Sequence, residues 1–280
     1  MLVVGGIGLY GARDITLGLT EYLKRADKVF LEVYTSVAPS FSEDLIKDMF
    51  GVEPVLLTRR DLEERGGEPV LRAAETGLAV FVTLGHPLMA TTHRMLVVEA
   101  RRRGIDVVIL PAPSVFDGVV SATGLHVYKF GRIATLVYPQ PEYGFYPLST
   151  YEALLDDLRR GLHTLLLLDL KVEEGVYMDV PDAARVLLEL EEKAGGGVVR
   201  GELLIIGVAR ATAPDGVVAA VRLREVGEVE WGPPPHSIII PGLLHESEME
   251  YLSIVWGVER EVLDSWNSIV RNEFMYTRDT

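Results

Sequence analysis

The sequence predicts an α/β protein, because apolar runs typical of buried strands alternate with segments of helical periodicity through its first half. The clearest unit is the strand Leu78–Leu84, the helix Thr92–Arg103 and the strand Val107–Leu110. This order implies a parallel sheet with helices on its faces. A chain of 280 residues can form one large domain or two of ordinary size. We expect two domains, residues 1–165 and 166–280.

The other elements of the first half are bounded by recognisable signals. Asp14 and Ser42 are each placed to cap a following helix, and Gly51 and Gly77 are typical helix stops. The predicted strands and helices are, in chain order, Leu2–Ile7, Thr16–Arg25, Val29–Val33, Ser42–Phe50, Val55–Leu57 and Pro69–Thr76.

The second half is richer in strands. Between Gly131 and Ser149, prolines and a glycine break the periodic pattern, and aromatic residues lie between them. We interpret this stretch as a linker; the alternative is a substrate-facing loop or a dimer contact. The elements predicted after it are the helix Tyr151–Arg160, the strand Thr164–Leu168, the helix Pro181–Lys193, the strands Glu202–Ala209, Val217–Arg222 and Ser237–Ile240, and the helix Glu246–Trp256.

The composition excludes several classes of protein. The chain is 48% hydrophobic, which supports a sizeable core, and its formal net charge of −14 makes it a poor general binder of nucleic acid or anionic membranes. It contains no cysteine, so a disulfide, a cysteine nucleophile and a thiolate metal site are excluded. No basic segment precedes an apolar stretch at the start, and no apolar run reaches about 18 residues. We therefore expect a cytoplasmic protein that binds neither nucleic acid nor a membrane.

The most informative segment is the loop from Gly85 to His93, which follows the strand Leu78–Leu84. It combines a Gly-x-Pro turn with two threonines and two histidines. A loop at the carboxyl end of a buried strand is where open α/β sheets bind small molecules. The residues alone also fit a tight turn in which Thr91 or Thr92 caps the next helix. Both interpretations stay open at this point.

The glycines near the start suggest a different site. Gly6-x-Gly8-x-x-Gly11 fits the dinucleotide-binding fingerprint, and Glu32 follows about twenty residues later at a strand end. In that fingerprint the third glycine opens a helix whose N-terminus holds a pyrophosphate. Here the predicted cap, Asp14, lies further along the chain, so the helix would begin too late. The fingerprint is therefore only a weak indication of a dinucleotide site.

The loop from Gly85 to His93 is one of a series of short strings that occur in order over nearly the whole chain. The other strings are Gly6-Ile7-Gly8-Leu9, Arg13-Asp14-Ile15-Thr16, Glu32-Val33-Tyr34-Thr35-Ser36, Ala112-Pro113-Ser114, Thr123-Gly124-Leu125-His126-Val127-Tyr128-Lys129-Phe130-Gly131, Gly161-Leu162-His163-Thr164-Leu165-Leu166-Leu167-Leu168-Asp169, Ala209-Arg210-Ala211 and Pro234-Pro235-His236. Together these strings resemble the diphthine synthase family of methyltransferases, whose G-D-P-x-x-A-T-T-H loop the segment from Gly85 to His93 matches most closely.

The resemblance implies two α/β domains of the tetrapyrrole-methylase type, with the cofactor in the cleft between them. It implies transfer of methyl groups from S-adenosyl-L-methionine, leaving S-adenosyl-L-homocysteine. The acceptor would be the amino group of a 3-amino-3-carboxypropyl-modified histidine on translation elongation factor 2, and the product diphthine, an intermediate in diphthamide biosynthesis. It also implies a homodimer.

The resemblance assigns cofactor binding to eight positions and identifies no catalytic residue or metal ligand. These positions are Leu9, His86, Met89, Ser114, Val115, Leu168, Ala209 and His236. The residues alone allow other roles, because Ser114 could be a helix N-cap and Leu168 a core residue.

Two positions depart from the family, which has Asp where this chain has Gly11 and His86. Neutral histidine offers one donor and one acceptor, whereas histidinium would repel a cationic cofactor. We therefore expect His86 to bind in its neutral form, with cofactor affinity falling at low pH.

The chemistry of methyl transfer asks little of the protein beyond positioning. It is an in-line displacement with a neutral leaving group, for which orientation and desolvation suffice. The six histidines lie singly, and none forms the H-x-x-x-H pair of a zinc site. Tyr34, His126 and Tyr128 are candidates for the substrate end, or else packing residues.

Three alternatives remain. One is a methyltransferase of the same superfamily with a tetrapyrrole or ribosomal RNA acceptor, although the net charge argues against RNA and the order of strings against a tetrapyrrole. Another is an NAD-binding oxidoreductase, which depends on the glycine fingerprint alone. The third is a binding protein that lost activity through Gly11 and His86.

Overall fold

The computed structural model describes residues 1–42 and 44–275, which divide into two compact units. The first unit contains Met1–Gly118 and Lys171–Val176. The second contains Val119–Leu170 and the described residues from Tyr177 onward. Both units are mixed α/β structures, which confirms the predicted fold class.

The first unit contains an all-parallel sheet of five strands. The strands are β1 (Leu2–Gly6), β2 (Lys28–Glu32), β3 (Val55–Leu57), β4 (Ala79–Thr83) and β5 (Val107–Leu110). Their order across the sheet is β3-β2-β4-β1-β5. The helices are α1 (Leu17–Leu23), α2 (Leu45–Phe50), α3 (Glu68–Thr76), α4 (Arg94–Arg102) and α5 (Val115–Thr123), the last of which starts in this unit and ends in the second.

The sheet is covered on both faces, as parallel sheets generally are. Leu2 of β1 packs in the same core cluster as Leu96 of α4. Its neighbour Val3 points the other way and packs with Leu19 of α1. The chain therefore leaves β1 and β4 towards opposite faces, which opens a crevice at the carboxyl ends of these adjacent strands. Open α/β sheets bind their ligands at such a switch point.

The start of α1 differs from the prediction. Thr16 caps this helix, and its Oγ1 accepts a hydrogen bond from the backbone N–H of Leu19 at 3.2 Å. Asp14 lies earlier, and its carboxylate accepts from the N–H groups of Leu9 at 2.9 Å and Tyr10 at 2.8 Å. The predicted cap at Asp14 is therefore wrong, because its carboxylate closes the loop after β1 instead.

The second unit is built around a mixed five-stranded sheet of order β11-β10-β12-β7-β6. Only β6 and β7 are parallel to each other; the other neighbouring strands are antiparallel. The strands from β6 onward are β6 (Phe130–Leu136), β7 (His163–Leu168), β8 (Leu170–Lys171), β9 (Val176–Tyr177), β10 (Leu204–Ala209), β11 (Val217–Arg222) and β12 (His236–Ile240). The helices are α6 (Leu148–Arg159), α7 (Val180–Ala194), α8 (Glu246–Trp256) and α9 (Arg260–Ile269).

Several details differ from the sequence-based predictions. The stretch interpreted as a linker begins with β6, so that interpretation is wrong for residues 131–136. The helix α9 was not predicted, and α2 has Asp44 rather than Ser42 at its N-cap position. The domain boundary expected near residue 165 falls within β7, whereas the compact units part after Gly118. Within the described residues, no helix is long and apolar enough to cross a membrane.

A buried carboxylate joins several segments of the second unit. Glu248 of α8 is fully buried and accepts hydrogen bonds from His163 Nε2 at 3.1 Å and Lys129 Nζ at 2.6 Å. The backbone N–H groups of His126 and His245 donate to it at 2.7 and 2.6 Å. Burial raises the pKa of Glu248, but these hydrogen bonds and charges outweigh burial and hold the pKa at about 2. The charged carboxylate therefore stabilises this unit.

We predict that Glu248→Gln lowers the free energy of unfolding at pH 7 by about 3 kcal/mol, because it leaves buried donors unpaired. Glu250→Gln, an exposed change on the same helix, should stay within about 0.5 kcal/mol of wild type. The folded pKa lies below the ordinary value of 4.5, so the contribution is complete above pH 4.5 and is lost as the pH falls towards 2. Denaturant titrations at several pH values measure this; equal effects of the two variants would contradict it.

Candidate functional site

Three loops of the first unit leave the carboxyl edge of the parallel sheet and meet at Gly6. They follow β1, β4 and β5, which lie side by side. A Cβ added at Gly6 would lie 2.1 Å from the carbonyl oxygen of Gly85, 2.9 Å from Cδ of Pro87 and 3.0 Å from Cβ of Ala112. These distances leave no room for a side chain. Glycine at this position therefore allows the loops to converge.

The loops after β1 and β4 are also hydrogen-bonded to each other. The N–H of Gly8 donates to the carbonyl of Gly85 at 3.2 Å, and the N–H of Gly85 donates to the carbonyl of Gly8 at 2.8 Å. Their φ angles are +72° and +67°, a region that glycine adopts without steric cost. The backbone itself therefore shapes the crevice between β1 and β4.

His86 lies directly after this contact. Its Nδ1 accepts a hydrogen bond from the N–H of Leu88 at 3.1 Å. In the neutral ring the proton then resides on Nε2, so the side chain presents a donor. The N–H of Met89 donates to the carbonyl of His86 at 3.4 Å. Met89, Leu9 and Val115 are each half-buried.

Ser114 is the N-cap residue of α5, which is the alternative that the sequence left open. Its hydroxyl donates to Asp117 Oδ2 at 2.6 Å, and its N–H donates to the same oxygen at 2.8 Å. The N–H of Asp117 donates back to the hydroxyl at 3.3 Å, which completes a capping box. The Ser114 bonds lower the pKa of Asp117, and the nearby His86 adds to this effect. Sequence reasoning missed Asp117, although the Ser-x-x-Asp spacing is a recognisable capping signal.

The dinucleotide fingerprint is not realised. Only a single 3-10 turn, Ala12–Asp14, follows Gly11 directly, and the helix α1 begins later, at Leu17. The α-helix that would hold a pyrophosphate therefore does not start at the third glycine. The carboxylate of Glu32 is occupied by the backbone N–H groups of Tyr34 and Thr35 and by the hydroxyls of Thr35 and Thr83. Gly11 itself has φ +120°, which disfavours the aspartate found there in the resembled family.

Three of the expected cofactor positions lie on one edge of the sheet in the second unit. The strand β12 lies between β7 and β10 and runs antiparallel to both. The carboxyl ends of β7 and β10 therefore lie beside the amino end of β12. The register pairs Ala209 with His236, and it pairs Leu167 with Ser237. Leu168 therefore ends beside His236, and the three predicted residues form one row across the sheet.

His236 is the polar member of this row. It is 4% exposed, and its Nε2 lies 3.2 Å from the carbonyl of Gly232 and 3.1 Å from that of Pro233. Nε2 must therefore carry the proton, because carbonyls only accept. The other nitrogen, Nδ1, is buried and has no hydrogen-bond partner among the described residues. Burial lowers the pKa of His236, so the ring is neutral and Nδ1 is an acceptor.

The candidates for the substrate end lie in different surroundings. His126 belongs to the Glu248 network, and the Tyr128 side chain is 95% exposed. Tyr34 is buried, and its hydroxyl has no hydrogen-bond partner within the described chain. The roles of Tyr34, His126 and Tyr128 in catalysis stay predictions. Across the described residues, no group of three or more metal-ligating side chains comes together.

Comparison with known proteins defines the class and then the family. Residues 1–227 match the family of Tetrapyrrole (Corrin/Porphyrin) Methylases. The diphthine synthase of Methanocaldococcus jannaschii is 35% identical over 90% of this chain and 98% of that protein. The diphthine synthase of Methanospirillum hungatei is 38% identical over 92% of this chain and 99% of its own. A crystal structure of diphthine synthase superposes with a TM-score of 0.84 at 29% identity, covering 94% of this chain and 98% of that one.

The similarities to the two diphthine synthases and to the crystal structure extend over 90% or more of both chains in each pair. The class is that of the methyltransferases that depend on S-adenosylmethionine. Within that class, the chain belongs to the tetrapyrrole methylase family and, more narrowly, to the diphthine synthases. The resemblance seen in the sequence is therefore confirmed.

We predict that Gly6→Ala destabilises the chain by about 2 kcal/mol or more, because the new methyl group would push the loop after β4 away. Gly18→Ala is the matched control: its Cβ would lie 3.7 Å from Leu110, an ordinary contact, within α1. It should be neutral or stabilising by up to about 1 kcal/mol. Thermal and denaturant unfolding compare the two. Equal stability of both variants would show that the loops can separate freely.

Proposed function

We propose that this chain transfers methyl groups from S-adenosyl-L-methionine to translation elongation factor 2. The acceptor is the amino group of a 3-amino-3-carboxypropyl-modified histidine, and the product is diphthine. The observation that carries this proposal is the similarity to diphthine synthases over 90% or more of the chain. We further propose that the chain acts as a homodimer, as the resemblance implies.

The cofactor supplies an electrophilic methyl group, and the protein supplies orientation and desolvation. In the first unit, we propose that the ligand lies in the crevice between β1 and β4, against the bare backbone of Gly85. Apart from its two chain neighbours, no described residue has an atom within 4 Å of where a Cβ on Gly85 would be, so this face of the loop is open. The proposed binding residues belong to the three loops after β1, β4 and β5 or directly follow them. They are Leu9, His86, Met89, Ser114 and Val115.

The chemistry of these groups fits a cationic ligand with polar ends. His86 offers an N–H donor when neutral, and the carboxylate of Asp117 is near it. The N–H and the hydroxyl hydrogen of Ser114 both donate to Asp117 within the capping box. Ser114 could therefore accept a hydrogen bond from a ligand through its hydroxyl oxygen, but it has no free donor. Asp117 thus offers a negative charge near the position where the family has an aspartate.

In the second unit, the proposed cofactor residues are Leu168, Ala209 and His236. Leu168 and Ala209 supply apolar surface at the ends of β7 and β10. The buried Nδ1 of His236 needs a donor, and a ribose hydroxyl or an adenine amino group would provide one. That both sheets serve one cofactor molecule stays a prediction.

Binding and transfer can be tested in two separate measurements. Calorimetry should detect binding of S-adenosylmethionine and S-adenosylhomocysteine in the micromolar range typical of cofactors, and no binding of NAD. Methyl transfer from labelled cofactor should then occur to modified elongation factor 2, and not to the factor lacking the 3-amino-3-carboxypropyl group. Binding without transfer would retain the methyltransferase class and overturn the proposed acceptor.

We predict that His86→Phe binds S-adenosylhomocysteine about tenfold more weakly than wild type, because the phenyl ring offers neither the acceptor for the N–H of Leu88 nor the proposed donor at Nε2. His86→Gln, whose amide can supply a donor near the place of Nε2, should bind more tightly than His86→Phe. Calorimetry at constant pH and ionic strength compares the three proteins. Equal affinity of His86→Phe and wild type would refute a role of His86 in binding.

A further inference from the structure

His93 is a buried histidine at the end of the loop after β4, next to the proposed cofactor residues, and the proposed function gives it no role. Its side chain is buried, and its ring packs edge-on against Phe81 with centroids 5.0 Å apart. The two ring nitrogens face different partners. Nδ1 lies 3.1 Å from the carbonyl oxygen of Pro87, and Nε2 lies 3.4 Å from Oε2 of Glu32.

The partner of Nδ1 fixes the position of the proton. A carbonyl oxygen can only accept, so Nδ1 must carry hydrogen to bond Pro87. Burial lowers the pKa of His93, and this effect outweighs the charge of Glu32, which acts to raise it. The ring is therefore neutral. Nε2 is then unprotonated and has no hydrogen-bond partner in the described part of the chain. The bond from Nδ1 is thus the main polar attachment of this ring.

The carboxylate of Glu32, which lies beside Nε2 of His93, is itself held in a fixed position. It is fully buried at the end of β2, and four donors hold its two oxygens. They are the backbone N–H groups of Tyr34 at 2.7 Å and Thr35 at 2.8 Å, and the hydroxyls of Thr35 and Thr83, both at 2.8 Å. A carboxylate held by so many bonds cannot rotate freely. His93 therefore sits on a rigid part of the sheet edge.

Pro87 lies between the residues proposed to bind the cofactor. His86 precedes it, and Met89 follows shortly after. The loop is held at Gly85 by the contact with Gly8. At Pro87 the carbonyl accepts from His93 at 3.1 Å and, at the longer distance of 3.4 Å, from the hydroxyl of Thr91. Ala90 has φ +53°, a strained value for a residue with a side chain. Such strain persists only where the surroundings hold the backbone in place.

We propose that His93 is a positioning residue for cofactor binding, and that it acts by donating the Nδ1 proton to the carbonyl of Pro87. This bond holds His86 and Met89 over the crevice between β1 and β4. The inference rests on the proposed function, because it assumes that this loop binds the cofactor. The family resemblance assigned no role to His93, and packing alone would not require a particular tautomer.

Two amide variants separate the roles of the two nitrogens. In His93→Asn the amide nitrogen can take the place of Nδ1, so the bond to Pro87 can be kept. In His93→Gln the amide extends towards the place of Nε2 and Glu32, so that bond is lost. Both variants remove the same imidazole ring from its contact with Phe81. Their losses of thermal stability should therefore be similar.

The readout is the dissociation constant for S-adenosylhomocysteine, measured by calorimetry on the full chain. We expect His93→Asn to bind within about threefold of wild type and His93→Gln to bind about tenfold more weakly, the effect of one lost hydrogen bond. Hydrogen exchange at residues 86–90 should accelerate in the glutamine variant only. Equal weakening by both variants would overturn the proposal and leave packing as the role of His93.

A measurement on the unmodified chain keeps the test decisive if the variants do not fold. Nitrogen-15 NMR of the labelled histidines should show His93 as the Nδ1–H tautomer at pH 7. An Nε2–H tautomer would overturn the proposal, because Nδ1 could then not donate to Pro87. Failure of wild type to bind S-adenosylhomocysteine would instead count against the proposed function itself.

Discussion

The paired hydrogen bonds between Gly8 and Gly85 are the constraint on which the site in the first unit depends. The chain leaves β1 and β4 towards opposite faces of the sheet, so the two loops would otherwise diverge. Two reciprocal backbone bonds and the missing Cβ at Gly6 hold them together. Asp14 then closes one loop, and His93 supports the other. Side chains thus refine a crevice whose shape the backbone sets.

Most strands and most helices could be predicted from the sequence because their signals are local. Strands such as β1 and β4 are buried on both faces and therefore read as continuous apolar runs. The edge strand β6 gave no such run, since Gly131 and Arg132 interrupt it and it pairs on one side only. The cap of α1 was misassigned because aspartate and threonine both suit an N-cap. In the structure the Asp14 carboxylate accepts hydrogen bonds from two backbone N–H groups of the preceding loop, and Thr16 is therefore the residue that caps the helix.

The sequence predicts the candidate site as a set of positions, whereas the hydrogen bonds of those residues appear only in the structure. The resemblance gave His86 and Ser114, whereas the partners of these side chains depend on how loops from different strands meet. Asp117 shows the limit, since its spacing from Ser114 signals only a cap, and its nearness to His86 appears only in three dimensions. The glycine fingerprint shows the reverse case. A motif known for phosphate binding here serves contact between loops, because no α-helix begins at its third glycine.

The buried carboxylate of Glu248 has a consequence for how the second unit opens. It connects the start of α8, the first residue of β7 and the segment around His126 and Lys129. None of these segments can detach alone without leaving a charge in the interior short of partners, which is costly. Slow amide exchange should therefore report similar opening free energies for all three, as expected of a single cooperative folding unit. Segments far apart in the sequence would then behave as one element of stability.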